Sequence, residues 1–410
     1  MSTEVRLMRV ELSSPIEAEV CGYLLNGNPN VPKLQSVLED KLSPEEAREL
    51  IYNIALKVNA SIFPPITKME LMLTEGCNLG CSYCFEKNIL GYKKMPLDIA
   101  FSAVDMFLDY SINEKELQLT HFGGEPTINF EAIKAVTEYA EKQAMSEGKH
   151  VSFNTTSNGV LLNDEMVDYF HEHDICVLLS IDGLAETHDR YRRDRKGNGT
   201  FLKVINGMKI LKQKQKWIGI KMTVMPENVK SLYNDVLGLY ELGVNQFVIG
   251  PASGIKWLEE DIRAFGFQLG KVYEWYKENR GDDLRITEFE ELRGKQGEDF
   301  KYFGCQAGRN SISVAVNGEI SPCSKILGID NKQLLSKLGD VRYGLTYFRN
   351  RHQLNSNSKL RSACESAGVN QDFNGGCYVM NFEETGDLFK PSIQAYRLDK
   401  QIRMACSACH

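Results

Sequence analysis

Three thiols stand close together in the string Thr74-Glu75-Gly76-Cys77-Asn78-Leu79-Gly80-Cys81-Ser82-Tyr83-Cys84-Phe85. The spacing C-x3-C-x2-C lets one short loop hold three irons of a 4Fe–4S cluster, one thiolate per iron. The fourth iron then has no protein ligand. An open metal position is where a substrate coordinates, as at a catalytic zinc. Tyr83, inside the loop, offers a ring face for stacking on an adenine. A zinc site is the competing reading, because C-x2-C is often half of one. A structural zinc takes four ligands, however, and no fourth Cys or His follows within the next thirty residues.

Further strings are chemically pointed. In Gly123-Gly124-Glu125-Pro126 two glycines let the backbone approach a ligand and Glu125 brings a carboxylate. A plain strand-to-helix turn, with Pro126 opening the helix, is the alternative there. Ser157-Asn158-Gly159 is a turn signal, and Ser180-Ile181-Asp182-Gly183 is followed by His188-Asp189 and Arg192. A guanidinium fork beside a hydroxyl suits a carboxylate ligand. The remaining cations of that stretch, Arg190, Arg193, Arg195 and Lys196, read as a solvated basic loop. Lys209, Lys212, Lys214 and Lys216 read as an exposed helix face, and Cys176, inside an apolar strand, as a buried thiol.

These groups need elements to position them. Period-two and apolar runs predict strands over 69–73, 117–122, 151–156, 176–181, 218–224 and 246–249. Amphipathic patterns predict helices over 96–110, 129–145, 164–173, 201–213 and 229–242. Six strands alternating with helices imply parallel βαβ units and an α/β fold. Each pointed string falls at the carboxyl end of a strand, where barrel active sites gather.

From about Met69 to Gly250, the cysteine triplet, GGEP one strand later, the S-N-G turn and the Ser180 to Arg192 segment stand in one order. That order resembles the radical S-adenosylmethionine (SAM) enzymes. The resemblance implies an open, partial (β/α)6 TIM barrel as the radical SAM core. It implies that Cys77, Cys81 and Cys84 hold the SAM-binding 4Fe–4S cluster, with Tyr83 beside the adenine. Gly123, Gly124, Glu125 and Pro126 would bind the SAM amino group, and Ser180 and Arg192 its carboxylate. A reduced cluster would cleave SAM to methionine and a 5'-deoxyadenosyl radical, which abstracts hydrogen from a substrate. The potential must lie towards the low end of the range of roughly −700 to +450 mV. The chemistry implies a reductant such as flavodoxin or ferredoxin.

Six more cysteines follow: Cys305, Cys323, Cys364, Cys377, Cys406 and Cys409. Cys305 and Cys323 enclose a predicted β-hairpin turning at Asn317-Gly318. The arrangement C-x12-G-x4-C resembles the start of a SPASM domain, with a zinc ribbon as the alternative. The next SPASM template, C-x2-C-x5-C-x3-C, falls on Cys364, Ala367, Phe373 and Cys377, so two of its four thiols are missing. The domain is therefore SPASM-like but depleted, or twitch-like, with one or two auxiliary iron–sulfur clusters. Cys305, Cys323 and Cys377 would serve an inner cluster, and Cys364, Cys406 and Cys409 an outer one. Alternatively Cys406 and Cys409 complete a single cluster with the hairpin pair, leaving Cys364 spare.

The first 65 residues read as a small α+β module. Its strands are expected over 5–11 and 19–25 and its helices over 31–39 and 44–58, with Ser43 as an N-cap. It resembles the leader-recognition domains of peptide maturases, which pair a strand with the leader. A packing cap on the barrel is the alternative. The expected organisation is 1–65, this module; 66–255, the radical SAM partial barrel; 256–300, a helical connection; and 301–410, the SPASM-like domain.

Composition sets limits on function. The chain has 410 residues, 42% apolar and 25% charged, with a net charge of −7. That balance suits a globular protein and argues against a broad nucleic-acid surface. No run of about 18 apolar residues supports a membrane span. The amino terminus lacks a signal-peptide core, and eleven cysteines without an export signal point to cluster ligation in the cytoplasm. The combined expectation is a peptide-modifying radical SAM oxidoreductase. It would act on a ribosomally synthesised precursor peptide (a RiPP maturase) and install a thioether or carbon–carbon cross-link. The alternatives are an anaerobic sulfatase maturase, which carries an Asp where Ser324 stands here, and a non-enzymatic iron–sulfur electron carrier.

Overall fold

The computed structural model describes residues 10–407, apart from 28, 282, 295–303, 330–334, 357 and 370–372. Ten strands run through it: β1 (Lys68–Thr74), β2 (Glu116–Gly123), β3 (His150–Ser157), β4 (Cys176–Ser180), β5 (Gly219–Val224), β6 (Gln246–Pro251), β7 (Arg285–Ile286), β8 (Ser311–Val314), β9 (Glu319–Ser321) and β10 (Gly339–Asp340). Each of the first six is followed by one or two helices, giving the six βα repeats expected. The local cause is clear in β2, where alternate residues are buried, and in helix Leu97–Tyr110, which buries Ala100, Ala103, Val104, Phe107 and Leu108 at helical spacing. Pro96 caps that helix from outside, one position earlier than expected.

The chain divides into two compact units, and neither is continuous in sequence. The first comprises Met1–Gly76, Glu86–Asn154 and Gln306–Ser356. Its strand order is β10-β9-β8-β1-β2. β1 and β2 run parallel, from Lys68 opposite Gln118 to Met72 opposite Phe122. β8 and β9 form the antiparallel hairpin expected around Asn317-Gly318. Beyond expectation, β8 also joins β1 in parallel, Lys68 opposite Ser311, so the cysteine-flanked hairpin continues the same sheet.

The amino-terminal segment belongs to this unit. It forms helices Pro15–Leu25, Val31–Leu38 and Pro44–Ile62 around a core of Val20, Leu24, Leu34, Ile51 and Ile54. The strand expected over 19–25 is thus a helix. Ser14 accepts the Glu17 N–H, Pro15 fixes the first turn, and Val20, Cys21 and Leu24 bury one helical face. The strand expected over 5–11 lies mostly outside the described residues. Ser43 caps the third helix in a full capping box with Glu46, as expected. Arg351 ties this unit together. Fully buried, it donates to Asn59 Oδ1 at 2.6 Å and to the carbonyls of Gly308, Pro64 and Arg309, with Phe63 beneath its guanidinium.

The second unit comprises Cys77–Phe85, Thr155–Cys305 and Asn357–His410, with strands in the order β4-β5-β6-β7, all parallel. β3 begins in the first unit and ends in the second. Helix Glu259–Asn279 packs against the last helix, Ile393–Ser407. Cys176 is exposed, which corrects the buried thiol expected; in β4 the inward residues are Val177 and Leu179. Among the described residues no helix is long and apolar enough to cross a membrane.

Candidate active site

The cysteine loop lies in the second unit, fastened to the segment after helix Ala185–Tyr191. The Gly80 N–H donates to the Arg193 carbonyl at 2.9 Å and the Ser82 N–H to that of Tyr191 at 3.2 Å. Arg195 Nε donates to the Cys77 carbonyl at 2.8 Å, and Asn158, from the S-N-G turn, donates to Asn78 Oδ1 at 2.7 Å. Cys77, Cys81 and Cys84 are half-buried and in no disulfide. The Leu79 N–H points at Cys77 Sγ, 3.4 Å away, and Arg192 Nη1 lies 3.9 Å from Cys81 Sγ. Burial pushes the Cys81 thiol up, against the pull of Arg192.

Arg192 is gripped from below. Its Nε donates to Asp182 Oδ2 at 2.9 Å, with the two side chains 10% and 0% exposed. Asp182 also accepts the Tyr83 hydroxyl and, through Oδ1, the Thr223 N–H at 3.0 Å. Burial opposes the charge on Arg192, but the Asp182 carboxylate outweighs it and the guanidinium stays protonated. Tyr83 has its ring 5.5 Å from that guanidinium and tilted against Tyr191. Ser180 ends β4, half-buried and level with Lys221 of β5. Asp182 had no assigned part in the sequence analysis. Its only signal was its place at a strand's carboxyl end, two residues after Ser180.

The helix leading to Arg192 is held by a second buried carboxylate. Asp235 accepts the Leu184 N–H at 2.8 Å and the hydroxyls of Thr187 and Ser231 at 2.8 and 2.6 Å. Asp189 then accepts the N–H groups of Thr200 and Phe201, and Thr200 Oγ1 donates to the Arg192 carbonyl. The backbone carrying Arg192 is therefore fixed at both ends.

The glycine motif belongs to the first unit. Gly123 has φ +141° and sits against the Thr74 carbonyl, where any Cβ would collide. A Cβ on Gly124 would lie 2.6 Å from the Gly76 carbonyl oxygen. The Gly124 N–H donates to Thr74 O and the Glu125 N–H to Gly76 O at 2.8 Å, so the ends of β1 and β2 are stapled together. Glu125 is buried and accepts the Thr127 hydroxyl at 2.7 Å, while Pro126 opens a 3-10 turn to Asn129. Glu86 is a further buried carboxyl here, absent from the sequence reading. Burial, then the charges of Glu70 and Glu125, raises its pKa to about 7.

The carboxyl-terminal cysteines are spread over both units. Cys323 stands at the start of helix Ser324–Leu327 in the first unit, and Cys305 lies in the second. In the second unit Cys364 is buried on helix Ser358–Ser366, Cys377 precedes helix Tyr378–Thr385, and Cys406 is in the last helix. Cys409 lies outside the described residues. Phe373, at a template cysteine position, is buried edge-on to Tyr396 with ring centroids 5.4 Å apart.

The donor set fits the cofactors. Three thiols in one loop, with an N–H and a guanidinium aimed at sulfur, suit a cluster whose potential is tuned by such donors. Among the described residues no three His, Cys, Asp or Glu side chains converge as around a single ion. A cubane makes a different demand, one thiolate for each iron. At Gly123 and Gly124 the place of a side chain is filled by the carbonyls of Thr74 and Gly76, so glycine is what lets the ends of β1 and β2 close up beside the motif.

Residues 71–236 match the Radical SAM superfamily. The chain contains a radical SAM domain. Among curated proteins it is similar to the radical SAM cyclopropyl synthase TigE of Paramaledivibacter caminithermalis, 22% identical over 333 residues, covering 74% of this chain and 66% of that one. It is also similar to a serine-type anaerobic sulfatase-maturating enzyme of Bacteroides thetaiotaomicron, 35% identical over 167 residues, covering 38% and 40%. The chain thus spans less than two thirds of the length of either. Of solved structures, anSMEcpe with bound AdoMet and Cp18Cys peptide shares the fold, with a TM-score of 0.67 at 19% identity over 84% of this chain and 100% of that one.

Proposed function

We propose that this chain is a radical SAM maturase that cross-links a ribosomally made precursor peptide, through a thioether or carbon–carbon bond, in the reducing cytoplasm. The observation that carries the reading is the extent of the likeness to TigE. It covers 74% of this chain, well beyond the radical SAM domain, whereas the likeness to the sulfatase maturase covers 38%. The sulfatase reading is also weakened at Ser324, where an Asp would be the base. Here the Ser324 N–H donates to Glu70 Oε2 at 3.0 Å.

When bound, the 4Fe–4S cluster and SAM supply reductive cleavage to a 5'-deoxyadenosyl radical. The chain's own residues do the rest. Cys77, Cys81 and Cys84 hold the cluster and leave one iron open. The Gly123-Gly124-Glu125-Pro126 turn takes the ligand's ammonium, and Ser180 with Arg192 takes its carboxylate. Asp182 keeps Arg192 charged and oriented. Cys305, Cys323, Cys377 and Cys406 are candidate ligands of an auxiliary cluster that binds the peptide or accepts an electron. Cys364, buried in a helix, fits the spare role better.

The test is anaerobic reconstitution, a 5'-deoxyadenosine assay with dithionite, and mass spectrometry of short peptides encoded beside the gene. Loss of two hydrogens from such a peptide, with no aldehyde on reaction with a hydrazide, is expected. An aldehyde in a sulfatase-derived peptide would replace this reading with the sulfatase one. Absence of SAM cleavage would leave an electron carrier.

A further inference from the structure

The cysteine loop is exposed at two points that flank Cys81: Gly80 and Ser82 both face solvent, and a Cβ built on Gly80 meets no atom within 4 Å. The segment that clamps this loop, 190–199, is the basic stretch noted in the sequence. Arg190, Arg193, Arg195 and Lys196 are all exposed, and Lys203 follows. Its carboxylates face inward or are already engaged. Asp194 accepts the N–H groups of Lys196 and Asn198 at 2.9 Å each, which close the turn and hold its pKa down near 2. Asp189 is taken by Thr200 and Phe201, and Asp182 is buried beneath Arg192. Just before the segment, Glu186 is exposed and lies 3.8 Å from Arg190. A cationic strip therefore borders the exposed edge of the cluster loop, on a chain whose net charge is −7.

Resting on the radical SAM reading, we propose that this strip, running from Arg190 to Lys196, is the docking surface for an acidic one-electron flavoprotein. Charge complementarity selects the partner: a basic rim on an acidic protein steers an anionic surface to one place. Position selects electron transfer, because a partner seated against Gly80 and Ser82 stands one residue from the Cys81 sulfur. The partner's anionic flavin hydroquinone gives up one electron and becomes the neutral semiquinone. The cluster takes that electron, and no proton moves. Arg193 and Arg195 also brace the turn, since Arg193 holds the carbonyls of Asp189 and Gly197 and Arg195 Nε that of Cys77.

The test uses the reconstituted chain and flavodoxin. Binding of oxidised flavodoxin is measured by calorimetry at about 50 mM and about 300 mM salt, where screening differs strongly. SAM cleavage is measured with reduced flavodoxin and, separately, with saturating dithionite. Arg190→Glu/Lys196→Glu is compared with Lys209→Glu/Lys216→Glu, an equal charge change on residues beyond the basic strip. The first pair should weaken flavodoxin binding about tenfold or more at low salt and slow the flavodoxin-driven rate to match, with the dithionite rate unchanged. The second pair should change neither, and Lys196→Glu alone should give a smaller selective loss. Equal weakening by both pairs, or unchanged binding with the first, would overturn the proposal. So would parallel loss of the dithionite rate in Lys196→Glu, or weakened precursor-peptide binding with flavodoxin binding intact. Failure of wild type with dithionite would strike the radical SAM reading instead.

Discussion

Asp182 and Arg192 form a buried ion pair, Nε to Oδ2 at 2.9 Å, directly under the loop that carries Cys81. Removing one partner of such a pair strands the other charge, a loss of about 3–5 kcal/mol. Asp182→Asn should therefore destabilise the apo chain by that order in denaturant unfolding and weaken SAM binding in the reconstituted protein. A stability change below about 1 kcal/mol would show that the pair is not the anchor of this half of the site.

Gly123 and Gly124 should tolerate no side chain. Gly123 adopts φ +141° against the Thr74 carbonyl, and a Cβ on Gly124 would press on Gly76 O. Gly124→Ala should reduce SAM affinity about tenfold or more by equilibrium titration, because the strand ends must part to admit the methyl. Gly80→Ala, whose Cβ meets open space, is the matched control and should bind SAM like wild type.

Cys77→Ala, Cys81→Ala and Cys84→Ala should each abolish 5'-deoxyadenosine release while leaving any auxiliary iron signal in Mössbauer spectra. One thiolate serves each iron and none is redundant. Full turnover by any one of them would remove the loop from the role assigned to it.

Stability should fall in mild acid. His121 and His188 are buried, each bonded through Nε2 to a threonine hydroxyl, and burial lowers the pKa of each to about 3; Arg192 adds to the shift at His188. The unfolded chain then binds more protons than the folded one below about pH 6.5. The stability these neutral rings contribute is complete above that pH and lost as pH falls towards 3, by up to about 1.4 kcal/mol per pH unit for each ring. Urea unfolding between pH 7 and pH 5 should show the decline, and His188→Gln should flatten it. A slope unaltered by that substitution would assign the acid sensitivity elsewhere.

The strands from Lys68 to Pro251, the helices between them other than Ala185–Tyr191, the Ser43 cap and the Asn317-Gly318 hairpin were legible in the chain, because each is written in local periodicity, capping or turn chemistry. The candidate ligands at Cys77, Cys81, Cys84 and Gly123 to Pro126 were legible for the same reason: their chemistry lies in short spacing. Tertiary structure decided what depends on distant partners. Asp182 becomes the hub of its half-site only because Tyr83, Arg192 and Thr223 converge on it. β8 extends the sheet only because Ser311 comes level with Lys68. The segment 15–25, apolar enough for either period, becomes a helix through its cap and the packing of Val20 and Leu24, and Cys176 faces outward because Val177 and Leu179 take the core side. Short-range pattern fixes the period of an element and its chemistry; which residues meet across the chain is set by packing, which no local window contains.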